Sequence, residues 1–332
     1  MNWFRDLTGF DEGSAAQLRE QLFVAGDRLH SRANGRSWAI GQLDTPSLAD
    51  LRRRGREALP SVAGALQVDA VQADVRNLLG DARHAGALFQ VASQFNLLEM
   101  PHPHVTPDEG VTNYEHDHTQ GPACAMAAGA ATIFRNHFVP LGGQPGQTSD
   151  RQVDCLAGMG KVLGQPPAQL WTMRNGYAMA SAAGLQHIRQ WMEAATPGQV
   201  DGLRAALRVG LHEDVEVTCG PQTGHLVTQL FGSAVPVSYS GQSAAAWEPF
   251  ARCVLQASYE ATLWAGVLNA ARRGQRQVFL TLLGGGAFGN PLPWILDGLA
   301  WALQAVQGAG LVVHIVSYAA LSPELRDFVA AR

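Results

Sequence analysis

The last quarter of the chain contains a strand, a glycine-rich turn, a helix and a second strand in succession. Apolar runs at 277–283 and 311–318 are typical of buried strands. Between them lie the segment 281–291, which reads TLLGGGAFGNP, and a helix predicted at about 293–307 that starts with proline. A strand, a helix and a strand over this length form a crossover unit of a largely parallel sheet, so we predict an α/β protein.

The glycines of this turn predict an anion-binding site. Glycine lets backbone N–H groups approach an anion, and a helix N-terminus adds partial positive charge. No Gly-Lys-Ser/Thr sequence follows, and the turn comes too late in the chain for the usual dinucleotide fingerprint. A tight turn whose glycines only relieve steric crowding is the alternative. The residues of the predicted site are Gly284, Gly285, Gly286, Ala287, Phe288, Gly289 and Asn290.

Charge and composition bear on the possible partners. Of the 332 residues, 46% are hydrophobic, which is enough for a large core, and the net charge is −4. Non-specific binding to nucleic acid needs a positive field, so we expect no nucleic-acid partner.

The four cysteines are widely spaced, which favours reduced thiols over a disulfide framework. No apolar run has the length of a membrane span or signal peptide, so we expect a cytoplasmic protein without a membrane partner. The oligomeric state stays open.

Patterns elsewhere predict further elements. A helix is expected within 14–29 from the spacing of Leu18, Leu22 and Phe23, and another between Ser47 and Leu59. The remaining predicted strands are 37–43, 68–75, 87–95, 171–180, 214–218 and 226–240, and the remaining predicted helices are 123–138 and 246–270.

Two segments together resemble macrodomains, a family that binds ADP-ribose. The late glycine turn is similar to their second phosphate loop, and VQADVRNLLGDARHAGALFQVASQFN at 71–96 is similar to their opening. The resemblance implies a three-layer α/β/α fold with a central mixed, largely parallel sheet at 67–332. Residues 1–66 would be a helical extension packed on this core. ADP-ribose is the implied ligand, and no cofactor is implied.

The resemblance also implies positions for ligand-binding residues. Asp74 and Val75 would lie near the adenine and Asn96 near the distal ribose, and Gln94 is a further expected ligand contact. The usual Asn-Ala-Ala-Asn is Ser-Gln-Phe-Asn at 93–96 here. The usual Gly-Gly-Gly-Val loop is replaced by Thr-Gln-Gly-Pro-Ala-Cys. These departures are similar to the MavL-like branch of bacterial effectors, which removes ADP-ribose from modified arginine. From the replaced loop, the expected ligand contacts are Thr119, Gln120 and Gly121.

An acid-rich loop between Asn96 and Gly121 supplies candidate catalytic groups. Hydrolysis of an N-glycosidic bond needs a carboxylate to orient or deprotonate water, and carboxylates also pair with the guanidinium of arginine. Asp117 immediately precedes the predicted ribose contacts and is favoured, followed by Glu99 and Asp108. Ordinary solvated loop acids are the alternative reading.

We therefore predict a hydrolase that releases ADP-ribose from ADP-ribosylated protein, with arginine as the preferred linkage. A reader module that binds ADP-ribose without turnover is the first alternative. A metal-dependent hydrolase is the second, and its ligands would be His102, His104, His116 and His118. Cys124, at the start of a helix rich in small residues, is either a nucleophile or a packing residue, and packing is favoured.

Overall fold

The computed structural model describes residues 2–332 as a central sheet with helices on both faces. The strands are β1 (Leu22–Ala25), β2 (Arg28–Ser31), β3 (Ser37–Ala39), β4 (Gln42–Asp44), β5 (Gln67–Gln72), β6 (Leu88–Ala92), β7 (Pro140–Leu141), β8 (Gln144–Pro145), β9 (Trp171–Arg174), β10 (Tyr177–Ala180), β11 (Gly210–Glu216), β12 (Leu226–Gly232), β13 (Gln277–Thr281) and β14 (Val312–Ser317). The helices are α1 (Trp3–Thr8), α2 (Ala15–Gln21), α3 (Leu48–Ala58), α4 (Val75–Leu79), α5 (Gln120–Ala127), α6 (Gly129–His137), α7 (Ala157–Val162), α8 (Pro167–Leu170), α9 (Ala182–Ala194), α10 (Pro197–Ala205), α11 (Ala244–Arg273), α12 (Leu292–Ala305) and α13 (Pro323–Ala330).

The central sheet has seven strands in the order β4-β11-β12-β6-β13-β14-β5. The five strands from β12 to β5 run parallel, whereas β11 is antiparallel to both of its neighbours. On one face, Gln90 of β6 bonds Thr262 of α11. On the other face, Gln229 of β12 donates to the backbone carbonyl of Cys124 in α5. The predicted α/β fold, with three layers and a mixed, largely parallel sheet, is confirmed.

Helix α11 forms the centre of one outer layer. Ser243 caps its first turn, and Gly274 ends it in the left-handed conformation with a φ of 72°. The apolar stripe predicted over 246–270 is buried except at the half-buried Leu268, and each large buried side chain in it contributes about 1.5–3 kcal/mol of transfer free energy. Across the described chain, no helix is both long and apolar enough to cross a membrane.

The first 40 residues differ from the helical layer that the sequence predicts. The helix expected within 14–29 ends at Gln21, and the chain then forms the antiparallel hairpin of β1 and β2, to which β3 is added. Leu22, Phe23 and Val24 favour a strand, and Gly26 takes a φ of 61° at the turn. Strand β4 pairs with β11 at the edge of the central sheet, so the extension is not purely helical.

Several other predicted elements are divided or shortened. The strand expected at 37–43 forms β3 and β4, and the strand expected at 226–240 ends at Gly232. The strand expected at 68–75 ends at Gln72 because Asp74 caps helix α4. The helix expected at 123–138 is interrupted at Ala128, whose ψ of 57° separates α5 from α6. The strand expected at 171–180 is a hairpin that turns at Asn175 and Gly176, both with positive φ.

The N-terminal residues pack against α5, α6 and the segment 98–114, where they form a second hydrophobic core. At its edge, the Glu12 carboxylate accepts hydrogen bonds from the backbone N–H groups of Val111 and Thr112 and pairs with His137 at 2.7 Å. Burial alone would raise the pKa of the Glu12 carboxyl. The hydrogen bonds from His137 and Thr112 have the larger combined effect, so the pKa is lowered. One carboxylate thus ties the N-terminal extension to the acid-rich loop.

We expect Glu12→Ala to lower the free energy of unfolding by about 3 kcal/mol, because it leaves several buried donors without an acceptor. Urea denaturation at neutral pH measures this value. Glu20→Ala, an exposed acid in the same segment, is the control and should change stability by less than about 0.5 kcal/mol. Since the folded pKa of Glu12 is lowered, the difference should vanish as the pH falls below its ordinary value of 4.5. Equal losses in the two variants would contradict this role.

Candidate functional site

Two adjoining cavities open at the carboxyl ends of the parallel strands. Strands β6 and β13 pair at only two positions, Leu88 with Val278 and Phe89 with Phe279, and then diverge. On one side of this gap the sheet continues from β13 to β14, and on the other side it continues from β6 to β12. Open α/β sheets bind their ligands at such a gap. The turn cavity, of about 310 Å³, is the one lined by Gly284, Gly286, Ala287 and Phe288.

The helix cavity, of about 260 Å³, is the one lined by Asp74, Val75 and Arg76 at the start of α4. The two cavities share lining residues along their border, so they form one continuous surface. The shared residues are Asp117, His118, Thr119, Gln120, Thr281, Leu282 and Tyr318. Together the cavities have the size and length of a site for an elongated ligand.

The glycine turn has a fixed shape. Gly284 and Gly289 adopt φ values of 74° and 71°, which favour glycine. A Cβ atom at Gly284 would collide with Ala234, and one at Gly289 would collide with Ser238. The Asn290 side chain donates to the carbonyl of Gly284 and holds the two ends of the turn together. Gly289 and Asn290 therefore shape the turn but do not line the cavity, although ligand contact was predicted for both.

Three successive backbone N–H groups of the turn face an open space. The N–H groups of Gly286, Ala287 and Phe288 have no hydrogen-bond partner among residues 2–332, and all three residues line the turn cavity. Successive free N–H groups in a turn are a recurrent type of anion-binding site in proteins. Gly285 donates instead to the carbonyl of Leu282 and lies outside the cavity. Helix α12 begins only at residue 292, so the loop itself, and not the helix start, supplies the donors.

The start of helix α5 fills the gap between β6 and β13. The amide of Gln120 accepts from the N–H of Ala92 and donates to the carbonyl of Gln90, both at 2.8 Å. A Cβ at Gly121 would collide with the carbonyl oxygen of Ala92, so glycine permits this close approach. Thr119 and Gln120 border both cavities, and Gly121 lines the turn cavity. The Gln120 amide, predicted to contact ribose, is already engaged by the backbone of β6.

The Glu99 carboxyl is the most unusual group in the turn cavity. Glu99 is 1% exposed, and neither of its carboxyl oxygens has a hydrogen-bond partner among the described residues. Its backbone N–H donates to the hydroxyl of Tyr114 at 3.1 Å, which fixes the segment. Burial raises the pKa of Glu99 to about 8, against the opposing effect of the Arg135 guanidinium 3.6 Å away. A carboxyl group with a raised pKa in the wall of a cavity is suited to general acid catalysis.

Of the three predicted catalytic carboxylates, Glu99 and Asp117 meet at the same cavity. Asp117 is half-buried at the border of the two cavities and accepts from the N–H of Thr119 at 2.8 Å. Asp108 lies outside both cavities. It is exposed in a 3-10 turn and accepts from the N–H of Ser149 at 2.8 Å, so it joins two loops.

The residues that follow β5, which the macrodomain resemblance places near the adenine, line the helix cavity. Asp74 caps α4 and pairs with the Arg76 guanidinium at 2.7 Å, and this hydrogen bond lowers the pKa of Asp74. Val75 is buried in the wall beside it. Only part of the Asp74 carboxylate therefore faces the cavity.

Gln94 and Asn96, which are both predicted to contact the ligand, lie in different places. Gln94 lines the turn cavity, and its amide is bonded to both backbone groups of Met100. Asn96 is fully buried outside both cavities. Its side chain donates to Gln152 and accepts from the N–H of Leu98, so it supports the segment that carries Glu99.

Tyr318 and Tyr177 are aromatic residues of the site that the sequence patterns did not reveal. Tyr318 is 79% exposed, follows β14 and borders both cavities. Tyr177, Tyr239 and Phe288 form a cluster with ring centroids 5.2–5.7 Å apart on one wall of the turn cavity. The position of Tyr318 directly after a strand is a signal that could have identified it. Tyr177 comes from a distant segment and carries no such signal.

The histidines of the acid-rich loop are not brought together. His102 and His104 stack on each other at the surface, whereas His118 borders the cavities. Within the part of the chain that the structure describes, no three His, Cys, Asp or Glu side chains are grouped as a metal ion would require. Cys124 is buried against Gln120, and burial raises the pKa of its thiol well above the ordinary value, which favours packing over nucleophilic attack.

Comparison with solved structures found bacterial poly(ADP-ribose) glycohydrolases. The enzyme from Thermomonospora curvata has 14% identity and a TM-score of 0.43, and the match covers 96% of this chain and 97% of the other. The enzyme from Deinococcus radiodurans, in complex with ADP-ribose, has 11% identity and a TM-score of 0.44 and covers 97% and 98% of the two chains. No protein-family model matches this chain, and no curated protein matches it. At this distance, ligand and activity remain properties of those enzymes.

We expect Gly121→Ala to destabilise the protein by at least about 2 kcal/mol, because the added methyl group forces α5 away from the Ala92 carbonyl. Thermal or urea unfolding measures the change. Gly198→Ala in α10 is the matched control, since a Cβ there meets no atom within 4 Å. It should be neutral or stabilising by up to about 1 kcal/mol. If the two variants are equally stable, the contact between α5 and β6 does not constrain the site.

Proposed function

We propose that the two cavities bind ADP-ribose and that the protein hydrolyses the bond between ADP-ribose and a modified protein. The Glu99 carboxyl carries this proposal, because it is buried and free of hydrogen bonds in the same cavity as three free N–H groups. Burial without a hydrogen bond costs stability, and such a cost is typical of a catalytic group.

The ligand would lie along the border of the cavities. The adenine would occupy the helix cavity, between the Asp74–Val75 start of α4 and the exposed ring of Tyr318. The diphosphate would accept from the N–H groups of residues 286–288. The distal ribose would then reach the end of the turn cavity that contains Glu99. In this arrangement Asn96 supports the loop and does not contact the ribose.

The proposed hydrolysis uses the two carboxyl groups of the turn cavity. Water attacks the anomeric carbon of the distal ribose while the bond from that carbon to the protein side chain breaks. The electron pair of this bond goes to the leaving atom, which takes the proton of Glu99. Asp117, at the cavity border, accepts the proton that the water loses. One proton is donated and one accepted, and exchange with solvent restores the starting state.

We further propose arginine as the linkage, with an ADP-ribosylated protein as the partner. A guanidine is a poor leaving group without added protonation, which the Glu99 proton would supply. Asp117 offers a carboxylate for a guanidinium, and the nearby Tyr239 ring offers a face on which one can stack.

A reader that only binds ADP-ribose is the alternative function. It would use the free N–H groups and the aromatic wall equally well. A reader has no need of Glu99, however, because a buried carboxyl without a hydrogen bond weakens the fold without serving binding. Glu99 therefore favours the enzyme.

We expect Glu99→Gln to reduce release of ADP-ribose from arginine-modified protein by at least about 100-fold, because the amide cannot donate a catalytic proton. Affinity for free ADP-ribose should change by less than about threefold, since the side chains have nearly equal size. Chromatography of released ADP-ribose and calorimetry provide the two values. Tight binding without any turnover in the wild-type protein would support the reader. Undiminished turnover in Glu99→Gln would remove Glu99 from the mechanism.

The phosphate contact is tested separately with Gly286→Asp. A Cβ at this position meets no atom within 4 Å, so the fold should tolerate the change, and the carboxylate would repel a diphosphate. We expect ADP-ribose to bind at least about 30-fold more weakly. Adenosine, which lacks phosphate, is the control ligand, and its affinity should be nearly unchanged. A parallel loss for both ligands would mean that the turn does not bind the diphosphate.

A further inference from the structure

Arg135 is a fully buried cation in helix α6. Its Nε donates to the carbonyl of Leu97 at 3.1 Å, and Nη2 donates to the hydroxyl of Thr132 at 3.0 Å. The guanidinium carbon lies 3.9 Å from the ring centroid of Phe231. These contacts fix the guanidinium in one orientation. All of these contacts are to uncharged groups, so none of them neutralises the buried positive charge.

The acid next to Arg135 is Glu99, whose Oε1 lies 3.6 Å from Nη2 and which becomes the opposite charge when it loses its proton. The other titratable groups around the pair are uncharged. The pKa values of Tyr114 and Cys124 are raised by burial, so both keep their protons. His212 of β11 lies 3.5 Å from Nη1, and burial holds its pKa well below the ordinary value. Glu99 and Arg135 are therefore each other's partner in this part of the core.

The two members of the pair differ in their access to the ligand. Glu99 lines the turn cavity, whereas Arg135 lines neither cavity and lies in the second layer behind it. Asp117 is the other acid of the turn cavity, and it is bonded to the N–H of Thr119. Arg135 can thus influence a reaction in the cavity only through Glu99.

We propose that Arg135 is a positioning residue, whose guanidinium holds the Glu99 carboxyl toward the cavity and stabilises the carboxylate formed when the proton is transferred. This inference rests on the proposed function. In such a site a neutral acid would be stable before the reaction, but its anion would be strongly disfavoured without a nearby cation. Arg135 supplies that cation without forming a hydrogen bond to either Glu99 oxygen.

The test combines a direct titration of Glu99 with turnover measurements. The protonated carboxyl of Glu99 has its own infrared band, which is identified by subtracting the spectrum of Glu99→Gln. We expect Arg135→Met to raise the pH at which this band disappears by about 1–3 units, because the stabilising cation is lost. The alkaline limb of the turnover profile should move by the same amount. Turnover at pH 7 should fall at least about tenfold.

The Arg135→Lys variant distinguishes the effect of the positive charge from the effect of the guanidinium shape. It also provides a test if Arg135→Met does not fold. Lysine keeps the positive charge but loses the fixed fork, so the Glu99 band should titrate within about one unit of wild type. Turnover should still fall at least about tenfold, because the carboxyl is less firmly placed. Arg52→Lys is the control. Arg52 is a largely buried arginine paired with Glu260 and Asp201, away from both cavities, and turnover should be retained.

Two results would overturn the proposal. The first is a Glu99 titration that is unchanged in Arg135→Met. The second is full turnover in Arg135→Lys. The infrared titration needs no substrate, so it distinguishes this inference from the proposed function. A wild-type protein that releases no ADP-ribose contradicts the proposed function, while the titration still decides whether Arg135 controls the ionisation of Glu99.

Discussion

The contact between the start of α5 and the end of β6 determines the geometry of the site. Gln120 supplies an amide that takes the place of a neighbouring strand, and Gly121 lets the helix approach the Ala92 carbonyl. Strand β13 can therefore leave β6 without exposing unpaired backbone groups, which would be costly. The gap created in this way becomes the border of the two cavities. The glycine turn, the acid-rich loop and Tyr318 all converge on that border.

Contacts of the N-terminal extension and of the Asn96 side chain offset the free energy that is lost by burying the Glu99 carboxyl. Glu99 is placed in the core without a hydrogen bond, and it stays there because the surrounding segment is held on several sides. Glu12 ties the following loop to α6, and Asn96 fixes the backbone before Glu99. Active sites commonly contain groups that lower the stability locally, and favourable contacts elsewhere in the fold compensate for this loss.

The sequence predicts the parts of this site that depend on local pattern. The strand, glycine turn and helix near the C-terminus, and Asp74 at a strand end, lie where the patterns indicate. Local pattern says little about which side chains a distant segment will engage. Gln120 is bonded to β6, Asn96 to Gln152 and Asp108 to Ser149, so none of these three side chains is free in a cavity. The pairing of Arg135 with Glu99 depends on packing of α6 and has no local signal.

A crystal structure of the protein with bound ADP-ribose tests the central claim most directly. Our account predicts diphosphate oxygens within hydrogen-bond distance, about 2.7–3.2 Å, of the N–H groups of residues 286–288. It also predicts the anomeric carbon of the distal ribose beside the Glu99 carboxyl, with the adenine next to Tyr318. ADP-ribose bound elsewhere, or bound in these cavities with its distal ribose turned away from Glu99, would contradict the account.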